Sequence, residues 1–170
     1  MCKDNEVTLR DWCPADASAL VNCLNNIRVM QQLPDSIPSP FTIRHARVFI
    51  GMNNCTGNRL VKAIEYQGEV VGSISLIPQE DVWRRNAEIR FFLDESYWGK
   101  GIMTRAIGKM VKYAFSDYDF ERIFTGIFAN NLAAMKVLEH AGFQKEGIMR
   151  NAIFKDGKLL DAHLYSILRR

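Results

Sequence analysis

The stretch from Glu88 to Ser116 constrains the fold more than any other part of the sequence. A short apolar run, Ile89–Leu93, leads through a polar turn to Trp98-Gly99-Lys100-Gly101. The residues after this turn place apolar side chains at the spacing of a single helix face, namely Met103, Ala106, Ile107, Met110, Val111 and Ala114. The stretch therefore predicts a strand, a glycine turn and a helix.

Two glycines stand where the chain must reverse from the strand into the helix. Gly99 and Gly101 can adopt backbone angles that side chains disfavour, and they leave room for another molecule to approach. The first N–H groups of the following helix have no acceptor inside it, which makes a helix start a natural seat for phosphate. Taken alone, the two glycines are better explained by a tight connection than by a phosphate site.

The N-terminal third predicts one strand and two helices. Apolar residues alternate with polar ones from Val7, and a helix is expected to follow from Pro14. The expected apolar face of this helix consists of Leu20, Leu24 and Ile27. The segment Leu33–Pro40 holds three of the five prolines, so it is expected to be a loop. Thr42 is expected to cap the second helix.

The remaining sequence predicts two hairpins, a further strand and a further helix. The hairpins are expected to turn at Gly68 and at Gly157, each between two β-rich runs. A strand is expected over Arg122–Ala129, and one of the two residues Asn130–Asn131 is expected to cap a helix that ends at Gly142. The order of elements predicts a mixed sheet with helices on its faces.

Composition narrows the class of protein. The chain has 170 residues, of which 48% are hydrophobic and 24% charged, so one domain over residues 1–170 is expected. A net charge of +3 is too small to indicate nucleic-acid binding, and no apolar run reaches membrane-spanning length. The three histidines lack zinc-site spacing. Reduced thiols and a cytoplasmic location are expected, because no C-x-x-C pair and no secretory signal accompany Cys2, Cys13, Cys23 and Cys55.

Two motifs together resemble one enzyme superfamily. Tyr97–Thr104, at the strand-to-helix turn, is similar to the pyrophosphate-binding motif Q/R-x-x-G-x-G/A of the GNAT N-acetyltransferases. Asn130–Phe143, followed by Glu146-Gly147, is similar to the second cofactor motif of that superfamily. The resemblance covers nearly the whole chain and is strongest to the bacterial ribosomal-protein N-terminal acetyltransferases.

The first motif departs from its consensus at both outer positions. With the motif aligned on Gly101, Trp98 replaces the consensus Gln or Arg, and Met103 replaces Gly or Ala. Because these positions mainly present backbone N–H groups, the resemblance still implies a phosphate site here. Lys100 can reach an adenosine phosphate or can be a solvated lysine.

The resemblance implies an α/β fold with a mixed, mostly antiparallel sheet of about seven strands, splayed in the middle and flanked by about four helices. It also implies acetyl-CoA as co-substrate, with the pyrophosphate on the turn, the pantetheine along the preceding strand and Asn131 on its other side. The residues expected to contact acetyl-CoA are Phe91, Phe92, Leu93, Trp98, Gly99, Lys100, Gly101, Ile102, Met103, Thr104, Asn131 and Ala134.

Acetyl transfer requires a neutral amine and a means to stabilise the departing thiolate. By resemblance, Glu88 is expected to act as the base, although it can instead pair with Arg90. Relatives carry a Tyr or a Ser at the positions of Leu138 and Ala134, so the thiolate is expected to be protonated by Tyr165, by water or by a backbone donor.

The resemblance also limits the class of acceptor. The expected acceptor is the N-terminal α-amine of a protein or peptide, in a monomeric or homodimeric enzyme. A polyamine or aminoglycoside remains an alternative, as does a non-catalytic acyl-CoA-binding module, because neither hydroxyl is present. A nucleotide-binding domain is disfavoured, since the glycine spacing fits neither G-x-G-x-x-G nor G-x-x-x-x-G-K-[ST]. The Pro34–Pro40 loop and the final hairpin are expected to shape the acceptor site.

Overall fold

A computed structural model describes residues 7–55 and 60–170. Cys2 and the side chain of Cys55 lie outside the described part, whereas Cys13 and Cys23 carry free thiols as expected. The elements in chain order are β1 (Val7–Arg10), α1 (Ala17–Leu24), α2 (Ile27–Met30), α3 (Ile43–Cys55), β2 (Val61–Tyr66), β3 (Glu69–Pro78), β4 (Asn86–Leu93), α4 (Ile102–Asp117), β5 (Arg122–Phe128), α5 (Leu132–His140), β6 (Gln144–Lys155) and β7 (Lys158–Leu168).

The seven strands form one sheet in the order β1-β2-β3-β4-β5-β7-β6. The β1–β2, β2–β3, β5–β7 and β7–β6 ladders are antiparallel, whereas β4 and β5 pair in parallel. Within the described residues, the β4–β5 ladder ends at the pair Glu88–Phe124, before either strand ends. The mixed, mostly antiparallel seven-stranded sheet predicted from the sequence is confirmed.

Contacts along the chain divide it into two compact units. The first comprises residues up to Ser75 together with Phe91–Ile102. Its core forms where the apolar faces of α1 and α3 meet β2, and Trp12 packs edge-on against Phe49 with the ring centroids 5.6 Å apart. Further buried members of this core are Leu20, Leu24, Val29, Phe41, Ala46, Ile50 and Ala63.

The first helix ends earlier than the sequence predicts. Asn26 caps the separate single turn α2 by accepting a hydrogen bond from the Arg28 N–H at 2.9 Å. The side chain of Asn25 bonds both backbone groups of Phe41 at 2.8 Å. Ile27, predicted on the buried face, is 69% exposed. The prediction of one helix was wrong here because asparagine side chains compete with the hydrogen bonds of a continuing helix, so this segment forms the two helices α1 and α2.

The predicted cap and turns are confirmed. Thr42 caps α3, since its Oγ1 accepts from the His45 N–H at 3.3 Å. Both hairpins close through two-residue turns in which both residues have positive φ, the geometry that matches the twist of paired strands. These are Gln67 (φ 55°) with Gly68 (φ 85°), and Asp156 (φ 50°) with Gly157 (φ 74°).

The second unit comprises Leu76–Arg90 and Met103–Arg170. In α4, every residue of the predicted apolar face is buried, and the basic residues Arg105, Lys109 and Lys112 are exposed. In α5, Ala134 and Leu138 are buried, and Gly142 has the predicted left-handed conformation with φ 90°. That the whole chain acts as one domain stays a prediction. No helix in the described part of the chain is both long and apolar enough to cross a membrane.

Candidate active site

The glycine turn has the backbone geometry that the motif requires. Gly99 has φ 74° and Gly101 has φ 68°, a region that residues with a side chain rarely adopt. A Cβ added to either glycine would meet no atom of the described chain within 4 Å. Both glycines are therefore required for the backbone angle, and the space beside them is open.

Helix α4 begins directly after Gly101, so Ile102, Met103 and Thr104 form its first turn. The N–H groups of a first turn have no acceptor within their helix. Ile102 and Met103 are only 1% and 6% exposed, so their side chains are packed in the core. The methionine at the consensus position for a small residue is therefore accommodated as a core side chain.

Trp98, the other departure from the consensus, fixes the turn to the end of β4. Its indole Nε1 donates to the Leu93 carbonyl at 2.9 Å, and its backbone N–H donates to the Glu95 carbonyl at 3.1 Å. The Arg28 guanidinium lies over its ring, with Cζ 5.3 Å from the centroid. The sequence motif gave no sign of this role.

Lys100 places a positive charge beside the turn. Its Nζ lies over the Tyr97 ring, 4.8 Å from the centroid, and Tyr97 packs edge-on against Tyr66 at 6.2 Å. A lysine ammonium over an aromatic face is attracted by the ring quadrupole. Lys100 is exposed, and this contact holds its ammonium group beside the turn.

The end of β4 lies very close to β3. A Cβ at Gly72 would lie 2.3 Å from the Phe92 carbonyl oxygen and 3.0 Å from Leu93 Cα. The Asp94 N–H donates to the Val71 carbonyl at 2.8 Å. Only glycine at position 72 permits the two strands to lie this close. The sequence analysis did not predict this contact, although an isolated glycine inside a strand pattern can indicate a close backbone approach.

Asn131, one of the two predicted candidates, is the cap of α5. Its Oδ1 accepts from the Ala134 N–H at 3.1 Å, and its own N–H donates to the Phe128 carbonyl at 2.8 Å. The amide nitrogen of an asparagine carries two donors besides this acceptor. The cap therefore fixes Asn131 in place, and Ala134, which is 9% exposed, offers little surface to a ligand.

Glu88 forms the ion pair with Arg90 that the sequence left open as an alternative. Arg90 Nη2 donates to Glu88 Oε2 at 2.9 Å. The Glu88 side chain is 26% exposed and the Arg90 side chain is 53% exposed. Oε1 is the atom through which Glu88 can take up a proton while the ion pair persists. Its role as base stays a prediction.

Tyr165 is a buried phenol with a carboxylate partner. Its side chain is 2% exposed, and its hydroxyl donates to Glu139 Oε1 at 2.9 Å. Burial, followed by this hydrogen bond, raises the pKa of Tyr165 above its usual value. The phenol is therefore protonated at neutral pH, and its O–H is engaged in the hydrogen bond to Glu139. A role for Tyr165 in protonating the thiolate stays a prediction.

Asp161 fixes the backbone at an irregularity in β6. Its Oδ1 accepts from the Asn151 N–H at 2.8 Å, where Asn151 has φ 52°, and its carbonyl accepts from the Ala129 N–H at 2.9 Å. Nearby on β7, His163 has a buried Nδ1 without a hydrogen-bond partner in the described part of the chain. Nor do the described residues contain a cluster of three or more His, Cys, Asp or Glu side chains suited to a metal ion.

Comparison with known proteins agrees with the motifs. A model of the acetyltransferase (GNAT) domain matches residues 6–144. The putative ribosomal N-acetyltransferase YdaF of Bacillus subtilis (strain 168) is 31% identical over 180 residues, which cover 99% of this chain and 95% of YdaF. The spermine/spermidine N(1)-acetyltransferase of the same organism is 33% identical over 87 residues, covering 48% of this chain and 57% of that protein.

A solved structure supports the same assignment. RimL, a ribosomal L7/L12 alpha-N-protein acetyltransferase in complex with coenzyme A, matches with a TM-score of 0.83 and 25% identity, over 95% of this chain and 93% of RimL. The family match, the relatives and the fold agree with the glycine turn at the start of α4. The chain belongs to the GNAT acetyltransferase family and is an acetyl-CoA-dependent N-acetyltransferase.

Proposed function

We propose that the enzyme binds the pyrophosphate of acetyl-CoA on Trp98–Thr104 and acetylates the N-terminal α-amine of a protein or peptide. The observation that carries the cofactor position is the pair of left-handed glycines in open space immediately before α4. A phosphate seated there meets backbone donors at the positive end of a helix dipole. Lys100, held over Tyr97, adds a positive charge beside the same turn.

The pantetheine arm is proposed to lie along Phe91–Leu93. An extended amide chain can add to a strand by bonding its backbone groups. The β4–β5 ladder ends at Glu88, and Gly72 allows β3 to hold the opposite edge of the same segment. The family resemblance is the ground for proposing Asn131 as a further pantetheine contact, since its amide nitrogen can donate to a carbonyl.

The acceptor nitrogen attacks the thioester carbonyl, the carbon–sulfur bond breaks, the nitrogen loses a proton and the thiolate gains one. An α-amine has a pKa of about 7.7 to 8.0, against about 10.4 for a lysine side chain, so an α-amine needs less help from a base. Glu88 Oε1 is the proposed proton acceptor. The proton for the thiolate comes from Tyr165 or from water.

A protein N-terminus is favoured over a polyamine by the charge of the acceptor-side segments. A polyamine carries several positive charges and requires a matching set of carboxylates. The segment Gln31–Phe41 contains one acidic residue, Asp35. The final hairpin, Gln144–Leu168, contains four Lys or Arg and three Asp or Glu. The polyamine remains the second candidate, because a partial relative is named a spermine/spermidine N(1)-acetyltransferase.

A thiol-release assay with acetyl-CoA tests the acceptor directly. The panel contains a peptide with a free N-terminus, the same peptide blocked at the N-terminus but carrying a lysine, spermidine and an aminoglycoside. We expect acceptor-dependent release with the free peptide and background release with its blocked partner. A kcat/KM for spermidine or the aminoglycoside above that of the peptides would replace the protein acceptor with a small amine.

A further inference from the structure

Side chains join α2 to the turn that precedes α4. Glu95 begins the 3-10 turn Glu95–Tyr97, which leads into the glycine turn, and its two carboxylate oxygens have different partners. Oε2 accepts from Asn26 Nδ2 at 2.7 Å, and Oε1 accepts from Nη1 of Arg28. Asn26 is the cap of α2 and Arg28 lies in its single turn. The Glu95 carboxylate therefore binds both the N-cap residue of α2 and a residue within the helix.

The same arginine also reaches the proposed pyrophosphate seat. Arg28 lies over the Trp98 ring, and the Trp98 indole donates to the Leu93 carbonyl at 2.9 Å. Arg28 is thus positioned by a carboxylate and by an aromatic face at once. Arg28 of α2 therefore contacts Trp98, the residue directly before Gly99.

These contacts matter more for position than for stability. The Arg28 side chain is 64% exposed and the Glu95 side chain 30% exposed, and ion pairs on a surface stabilise a fold very little. However, α2 has four residues and cannot persist as a helix without outside contacts. The chain leaves α2 directly into Leu33–Pro40, the loop expected to line the acceptor site.

We infer that Glu95 is a positioning residue that transmits the occupancy of the pyrophosphate seat to the acceptor-side segment Ile27–Pro40. The inference rests on the proposed function, because it takes the glycine turn as the seat and the loop as acceptor-lining. A ligand that immobilises Gly99 and Gly101 also restrains Trp98, and through Glu95 and Arg28 it restrains α2. By linkage, a bound acceptor then strengthens coenzyme A binding by the same factor.

Amide hydrogen exchange with and without coenzyme A, which cannot transfer an acetyl group, tests this coupling. In the wild type we expect coenzyme A to slow exchange at Trp98–Thr104 and, about fivefold or more, at Ile27–Leu33. In Glu95→Gln, which keeps the size and one hydrogen bond but loses the charge facing Arg28, protection of the turn persists and protection of Ile27–Leu33 disappears. Arg28→Gln, which removes the partner charge, is expected to give the same result.

A matched control uses an ion pair of the second unit. Glu121 pairs with Arg85 at 2.9 Å on the second unit, so Glu121→Gln removes a similar surface charge and should leave the response of Ile27–Leu33 to coenzyme A unchanged. In steady-state kinetics, Glu95→Gln should raise the acceptor KM about fivefold while kcat stays within about twofold. The affinity for coenzyme A measured without acceptor should also stay within about twofold.

Two outcomes overturn the inference in different ways. If coenzyme A protects Ile27–Leu33 equally in Glu95→Gln and in the wild type, Glu95 does not carry the coupling, although the seat stands. If coenzyme A fails to protect Trp98–Thr104 in the wild type, the seat itself is misplaced and the proposed function fails together with the inference.

Discussion

The glycine turn before α4 and the β7–α5 region differ in what fixes their geometry. At the turn, the geometry is fixed by the left-handed backbone conformation of Gly99 and Gly101, and the two glycines can be recognised in the sequence. In the β7–α5 region, the decisive contact joins Tyr165 to Glu139, which are 26 residues apart. The difference teaches that the cofactor seat is encoded locally, whereas the groups considered for proton transfer depend on partners brought together by the fold.

The most severe change to the locally encoded region is Gly101→Trp. The indole would fill the open space beside the turn and strain a backbone with φ 68°. We expect acetyl-CoA affinity to fall by at least about 100-fold, roughly 2.8 kcal/mol, in titration calorimetry. Gly108→Trp places the same side chain on the exposed part of α4, in space that is equally open, and should bind normally. Equal affinities for both variants would remove the seat from this turn.

Glu88→Gln tests whether proton transfer depends on the β4 carboxylate. If Glu88 is the base, kcat at neutral pH falls about 100-fold, while acetyl-CoA affinity changes little. Arg90→Gln separates this role from the ion pair, because it removes the 2.9 Å contact and keeps the carboxylate. Equal losses in the two variants would show that Glu88 serves only as the partner of Arg90.

Gly72→Ala addresses the close approach of β3 to the end of β4. The new methyl group would meet the Phe92 carbonyl oxygen at 2.3 Å, so the backbone must shift. We expect a loss of about 2 kcal/mol in the free energy of unfolding, measured with urea. Gly147→Ala, where a Cβ has no atom of the described chain within 4 Å, is the matched control and should be nearly neutral. If the free energy of unfolding of Gly72→Ala equals that of the wild type, β3 and the end of β4 can move apart without loss of stability.

Tyr165→Phe is the mildest change and probes the region fixed by distant partners. Loss of the hydrogen bond to the exposed Glu139 should cost about 1 kcal/mol. Because the pKa of Tyr165 is raised in the fold, its contribution is complete below the usual tyrosine pKa of about 10 and is lost as the pH rises through the folded value. Unfolding curves should therefore depend less on pH above about 10 in the variant. A kcat reduced about 100-fold at neutral pH would instead place Tyr165 in the proton path.

Much of the fold was predictable because its signals are short in range. The two hairpin turns, the Thr42 cap, the apolar face of α4 and the left-handed Gly142 each follow from a few neighbouring residues. The seven-stranded sheet followed from the order of these elements and from the resemblance to a known superfamily. These features were predicted correctly because the conformational preference of a few neighbouring residues is the conformation that the folded protein adopts.

The features that sequence reasoning missed depend on residues far apart in the chain. Gly72 is required because of the Phe92 carbonyl, 20 positions along the sequence. The helix break at Asn25 is stabilised by Phe41, and the role of Trp98 involves Arg28. No periodicity within one element reveals such partners, so motif matching identified the site without the contacts that support it.

The first unit is discontinuous along the chain, and this governs when it can assemble during synthesis. Its early portion ends at Ser75, but Phe91–Ile102 belongs to the same unit. The carbonyl of Val71 has no Asp94 to bond until that residue has left the ribosome. During synthesis, the core of the first unit therefore stays incomplete until Phe91–Ile102 has emerged. A fragment that ends at Ser75 would lack this segment.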